Sequence, residues 1–396
     1  MKISHNLLFL FGATYYLLMP FFVGSFGYLY DMPGMSNWYS DFSSVPTENF
    51  YIYYIYVFSI FLMFYLGSFL FAKVSLNIKK LNSLTYPGYF FGAFFSISIF
   101  LALLSIFIKN SSTAFSGYDT YDHELIGMVG TVNVLVTFLC VHALLNKMHH
   151  SLYLYFLILS LLLSSVFLLG LGSRMYVLIP VVALLTFKVN YSEKPMSVFR
   201  LFTFSILFLL VMLLVGVWRV GLDFNFEFFV YIFLAEPIFT SWSAASFLQT
   251  QELPLIAEPY NFMSSFLNFV PSSVFPNKAD FIYKVSDFYR YHAPLGADNI
   301  FVSTVGNFGL LVGSFYFFLL GGALSFLRNV SKGDKFLTAY YVCILAVIPF
   351  QLFRDNFAIL NKQFYWNMLF VPFMFLLVLG FLRVLLIASY SRKYSV

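Results

Sequence analysis

The chain has 396 residues, 61% of them hydrophobic and only 10% charged, with a mean hydropathy of +0.84. A soluble core of this size would need far more charged surface, so the composition points to an integral membrane protein and excludes a soluble enzyme, a nucleic-acid binder and a tethered globular module. The formal charge of +5 then reads as a topological signal rather than as a surface for an anionic partner.

Stretches free of Asp, Glu, Lys and Arg are measured against the roughly 20 residues that a helix needs to cross a hydrocarbon core. In chain order, residues 6–30, 49–72, 81–108, 125–146, 151–173, 201–218, 299–327, 336–353 and 363–382 are long enough, the longest with tilt. Residues 175–187 join them if the helix starts at Gly172 and Lys188 snorkels to the interface. The pattern predicts a single all-α polytopic membrane domain over 1–396 with about 10 transmembrane helices. Only Lys2 and His5 precede the first run, and no small-residue cleavage site follows it, so it reads as a retained helix. Cys140 and Cys343 each lie inside an apolar run and read as packing residues.

Residues 228–248 are apolar but carry Glu236-Pro237 in their middle, a charge beside a helix breaker. A re-entrant or broken segment is expected there, lining a cavity that satisfies the backbone and the carboxylate. With both termini inside, 14 of the 22 basic residues fall on the inner side, and 15 of the 17 acidic ones fall outside, all but Glu193 and Asp334. That asymmetry follows the positive-inside rule. Residues 249–298 then form one large outer loop, in which five prolines limit long helices. Its many aromatic rings suit sugar faces and equally suit a segment lying on the bilayer.

Arginines on the side depleted of basic residues call for partners, because guanidinium cannot shed its charge. Arg174 follows a tight Gly-Leu-Gly-Ser turn, Arg219 ends its helix, Arg290 lies in the large loop and Arg354 opens an outer turn. Guanidinium forks match phosphate oxygens, which makes these four a candidate clamp; the plain alternatives are snorkelling or local pairs such as Arg354 with Asp355 and Arg219 with Asp223. An extracytoplasmic reaction would also need a base, and the candidates are Asp298, His292 and Glu236. Helix capping alone would account for Asp298, and a solvated loop position for His292. The clusters Asp119, Asp122, His123, Glu124 and Asp31, Asp41, Glu48 lack diagnostic metal-ligand spacing and read as solvated loop charge, so no metal is expected. No Gly-rich phosphate loop appears on an inner turn, so any outer reaction must use a substrate that arrives activated.

Gly172-Ser173-Arg174 resembles the Gly-Ser-Arg of a middle outer turn, and Arg354 resembles the arginine of the last outer turn, in the bacterial oligosaccharide repeat-unit polymerases (the Wzy-type O-antigen and capsule polymerases) and their relatives the O-antigen ligases. Asp298-Asn299, followed by Phe308-Gly309 and Gly313, is similar to the ligases' His-Asn and its spaced Gly-x-x-x-Gly, with Asp298 standing where a ligase carries histidine. The resemblance covers most of the chain in architecture and only these short stretches in sequence. It implies a GT-C-like fold in the bacterial inner membrane, working at the periplasmic face on undecaprenyl-pyrophosphate-linked oligosaccharides as donor and acceptor. An acceptor hydroxyl would attack the donor's anomeric carbon, with lipid pyrophosphate leaving. It further implies no cofactor, surrounding membrane lipids and a chain-length-determining co-polymerase as partners, and no nucleic acid. The alternatives are an O-antigen ligase and a flippase for the same lipid-linked oligosaccharide; a transporter predicts mid-bilayer charges in several helices and two related halves, neither of which the sequence carries.

Overall fold

The computed structural model describes residues 2–26, 29–74, 89–112, 123–149, 151–221, 225–250, 252–270 and 274–393, with the backbone alone at 123, 219, 220, 250, 295 and 386–393. No strand occurs among the described residues, and nine of their helices are long and apolar enough to cross a membrane. The chain is a polytopic membrane protein. In chain order the elements are α1 (His5–Phe26), a short α2 (Met35–Ser43), α3 (Thr47–Leu70), α4 (Tyr89–Lys109), α5 (His123–Leu145) and α6 (Leu152–Gly170). They continue with α7 (Arg174–Asn190), α8 (Val198–Val220), α9 (Phe226–Thr250), α10 (Ile300–Ser331), α11 (Lys335–Val347) and α12 (Phe357–Leu385). Local chemistry marks their starts: Ser4, Ser151, Ser197 and Asp334 each accept a backbone N–H of the first turn of α1, α6, α8 and α11.

Side-chain bonds between distant residues define two ends of the bundle. At one end Asn190 holds the backbone of Ile3, Lys147 pairs with Glu193, and Lys335 reaches Asn146. There the buried His5 ring bonds Tyr341, Ser68 and Ser325. This basic end gathers Lys2, Lys73, Lys188, Lys194, Arg328 and Lys332 as well. The other end carries the turns after α6 and α8 and the large loop, and is called the loop end below.

The backbone of α9 departs from the expected break. It runs as one 25-residue helix with Pro237 inside it. Proline removes a single donor, which frees the carbonyl four residues earlier, and the Tyr15 hydroxyl donates to that Phe233 carbonyl at 2.5 Å. With the orphan acceptor satisfied from α1, the helix has no reason to open. Its direction is also informative. Tyr231 donates to the Pro33 carbonyl, Trp242 to Asp41, and Asn49 to the Leu248 carbonyl. These partners, spread over 17 residues or about 25 Å of helix, all belong to the loop end. So α9 passes a test of length and apolarity yet lies across one end of the bundle, while the other eight long helices and the shorter α7 and α11 connect the two ends.

Re-entrant backbone occurs instead at the start of α10. Gly309 sits at φ 74, ψ 178, and the N–H groups of Leu310 and Leu311 turn to the carbonyls of Pro254 and Leu255. Tyr56 donates to Thr304 at 2.8 Å, and the same hydroxyl occupies the place a Cβ on Gly313 would take. Nine residues of straight helix would separate Thr304 from Gly313 by about 13.5 Å, so the chain folds back at Gly309. Residues 300–308 thus form one arm of a hairpin that turns at Gly309, with Asp298-Asn299 at the buried end of that arm away from the turn. Below the hairpin, α10 packs on α3 through Gly67, Gly321 and Gly322, where carbonyl oxygens or rings of the partner helix fill the space of a side chain.

Candidate functional site

The loop end holds the charged residues that the sequence singles out, and α9 is the shelf that collects them. Glu236 meets Arg354 there, Oε1 to Nε at 2.5 Å, and Arg354 Nη1 lies 3.6 Å from Asp355. The local pair foreseen between Arg354 and Asp355 therefore exists, with Glu236 as the closer partner. Seven residues along α9 from Glu236, Ser243 accepts the backbone N–H of Asn299, and one turn further Ser246 accepts that of His292, each at 2.8 Å. The His292 ring stands edge-on to Trp242 at 5.8 Å.

Capping does not explain Asp298. The N-cap of α10 is Asn299, whose side chain accepts the Phe301 N–H at 2.9 Å. The Asp298 carboxylate instead accepts the Tyr291 hydroxyl at 3.0 Å and is buried. Burial raises its pKa; hydrogen bonds from Tyr291 and Asn356 and the charge of Lys284 oppose that rise. Burial likewise pushes Asp355 up to about 6, with Arg354 opposing and the charges of Glu236 and Asp298 adding to it. Three carboxylates and one guanidinium thus share a recessed chamber. Among the described residues no group of three or more His, Cys, Asp or Glu could hold a metal ion.

Arg174 approaches from the other side. It begins α7 without an acidic residue in the first turn, and its guanidinium packs on α8, with Nη1 2.8 Å from where a Gly216 Cβ would stand. A cation at a helix N-terminus adds to the positive end of the helix dipole, which is unfavourable until an anion is present. Arg174 and Glu236 together line the head of a cavity of about 480 Å³ between α1, α7, α8 and α9. Below them its wall is apolar: Met175, Leu178, Val182 and Leu185 line it along α7, a run of about 16 Å from Arg174. Across the cavity Phe208 and Leu209 of α8 face Leu8 and Phe11 of α1.

No family model, curated protein or solved structure matches this chain. Of the sequence candidates, Arg174, Glu236, Arg354 and Asp298 converge on the chamber and the cavity head. His292 stands beside them on α9. Arg290 is exposed on the large loop and does not line the cavity. The side chains of Arg219 and His123, together with Asp119 and Asp122, lie outside the described residues, while Asp41 of the other acidic cluster receives Trp242. Two residues that no charge or motif marks also line the cavity: Tyr15 and Tyr16 of α1. They occupy a π-helical turn over Thr14–Leu18, the one local irregularity in α1.

Proposed function

We propose that this protein is a membrane glycosyltransferase that joins oligosaccharide repeat units carried on undecaprenyl pyrophosphate, a surface-polysaccharide polymerase of the bacterial inner membrane with its site on the periplasmic side. The observation that carries this reading is the cavity, apolar for most of its length and headed by Arg174. An amphiphile with a long hydrocarbon chain and an anionic head fits both halves at once, whereas a soluble sugar nucleotide would fit neither. Excess of basic residues at the opposite end of the bundle supports the orientation, since that end would face the cytoplasm.

The chemistry follows from the residues. Arg174 and Arg354 stabilise the negative charge that develops on the departing diphosphate. Asp298 takes the proton of the attacking sugar hydroxyl; burial raises its pKa, which makes it a stronger base than a solvated carboxylate. Glu236 is engaged with Arg354 and serves as the counter-charge that holds that guanidinium in place. A diphosphate leaves readily, so the residues present suffice without a nucleotide.

The test is the banding of surface polysaccharide on a gel, from a deletion strain complemented with wild type or with Arg354→Glu at matched membrane levels. A core bearing a single repeat unit in the deletion, with a ladder restored by wild type alone, is the expected result. Loss of all repeat-bearing material would instead indicate the ligase or flippase reading, and a normal ladder from Arg354→Glu would remove Arg354 from the site.

A further inference from the structure

The Tyr16 side chain is fully buried, lines the cavity, and has no hydrogen-bond partner for its hydroxyl among the described residues. A buried donor left unmade costs stability, so a position that keeps one calls for a reason. Burial without a partner is not distinctive by itself, since Tyr153 shares it. What separates them is the surroundings: Tyr16 lines the cavity together with Glu236 and Arg174, and Tyr153 is not among the residues that line it.

Tyr15 and Tyr16 both line the cavity from the π turn over Thr14–Leu18. Their hydroxyls differ in use. Tyr15 donates to the carbonyl freed by Pro237, while the Tyr16 hydroxyl has no partner among the described residues. The Tyr16 carbonyl meanwhile accepts from Asn299 at 3.5 Å, which ties this turn to the start of α10.

We infer that the Tyr16 hydroxyl is a ligand-binding donor for an anionic phosphate oxygen of the lipid held in the cavity. This rests on the reading of that cavity as a lipid-diphosphate site. Because Glu236 already neutralises much of the Arg354 charge, a neutral donor in the wall that Glu236 also lines supplies recognition without adding net charge to a buried site. Tyr16→Phe removes that donor and nothing else.

The experiment uses the full-length protein in detergent, a long-chain polyprenyl diphosphate as the probe, the matching polyprenol as a control, and phosphatidylglycerol as a competitor. Tyr16→Phe is expected to leave the melting temperature of the unliganded protein unchanged or slightly raised, and to weaken diphosphate binding about tenfold or more with polyprenol binding unchanged. Tyr15→Phe is expected to do the reverse, lowering the melting temperature with little change in affinity. Wild-type binding matched by equally tight binding to Tyr16→Phe would overturn the inference, as would a fall in melting temperature equal to that of Tyr15→Phe. Failure of the wild type itself to bind, or equal displacement by phosphatidylglycerol, would overturn the lipid-diphosphate reading beneath it.

Discussion

Arg354 is the residue on which the chamber balances, with Glu236 in contact, Asp355 beside it and Asp298 adding its charge to the same group. Truncating the cation should cost more than neutralising one acid. Arg354→Ala leaves carboxylates facing each other at low solvent exposure and should destabilise the protein by roughly 1–3 kcal/mol, whereas Glu236→Gln leaves Asp355 to answer the guanidinium and should cost less. Thermal unfolding of both variants in detergent reads the difference, and a Glu236→Gln protein that melts lower than Arg354→Ala would reverse this account. Asp355 also links the chamber to pH. Its folded pKa of about 6 lies above that of an unfolded aspartate, so the folded state binds the proton more tightly. Its stabilising contribution is therefore complete below about pH 4 and is lost as pH rises through about 6, a direction that Asp298 shares. The melting temperature of Asp355→Asn should vary less over that interval than that of wild type; parallel curves would show that Asp355 does not titrate there. Under the proposed function, Asp298→Asn should lower polymer formation about 100-fold or more while leaving lipid binding intact. The charged members of this site were legible in the sequence because an arginine or a carboxylate stands out in so apolar a chain. Tyr16 was not, being one of 29 tyrosines with no spacing to mark it.

At the scale of elements, two segments matter most, and both turn on one backbone-special residue. Pro237 announced a break that α9 does not have, because the acceptor it frees is satisfied by Tyr15 from a helix more than 200 residues away. Gly309 made no comparable announcement, yet it is where the chain reverses. Its positive φ and the Leu255 carbonyl carbon, 2.5 Å from where a Cβ would stand, both exclude a side chain. Gly309→Ala should cost about 1–3 kcal/mol in backbone strain alone, and more through the contact with Leu255. Since Leu310 and Leu311 anchor residues 254 and 255, limited proteolysis should then cut the large loop faster than in wild type. An unchanged digestion pattern would mean that the loop is positioned by other contacts.

Across the whole molecule, charge sorts by end: lysines and arginines crowd one side of the bundle, and most acids crowd the side with the large loop. Single cysteines report which side is which, against a low background because Cys140 and Cys343 are buried. Under the proposed orientation, a cysteine at Lys194 should react with an impermeant thiol reagent only after the cytoplasm is opened, and one at Asp280 should react in intact spheroplasts; the opposite pattern would invert the orientation. What the sequence by itself determined are properties that accumulate locally along the chain. Membrane residence, the crossing segments and the segregation of charge follow from hydropathy and from residues near each helix end. The tertiary structure alone decided that α9 lies across the bundle, that α10 begins with an inward hairpin, and that Glu236 joins the Arg354 and Asp298 chamber to the cavity that Tyr16 and Arg174 line. Those outcomes depend on hydrogen bonds and packing between residues far apart in the chain, whose partners no local window contains.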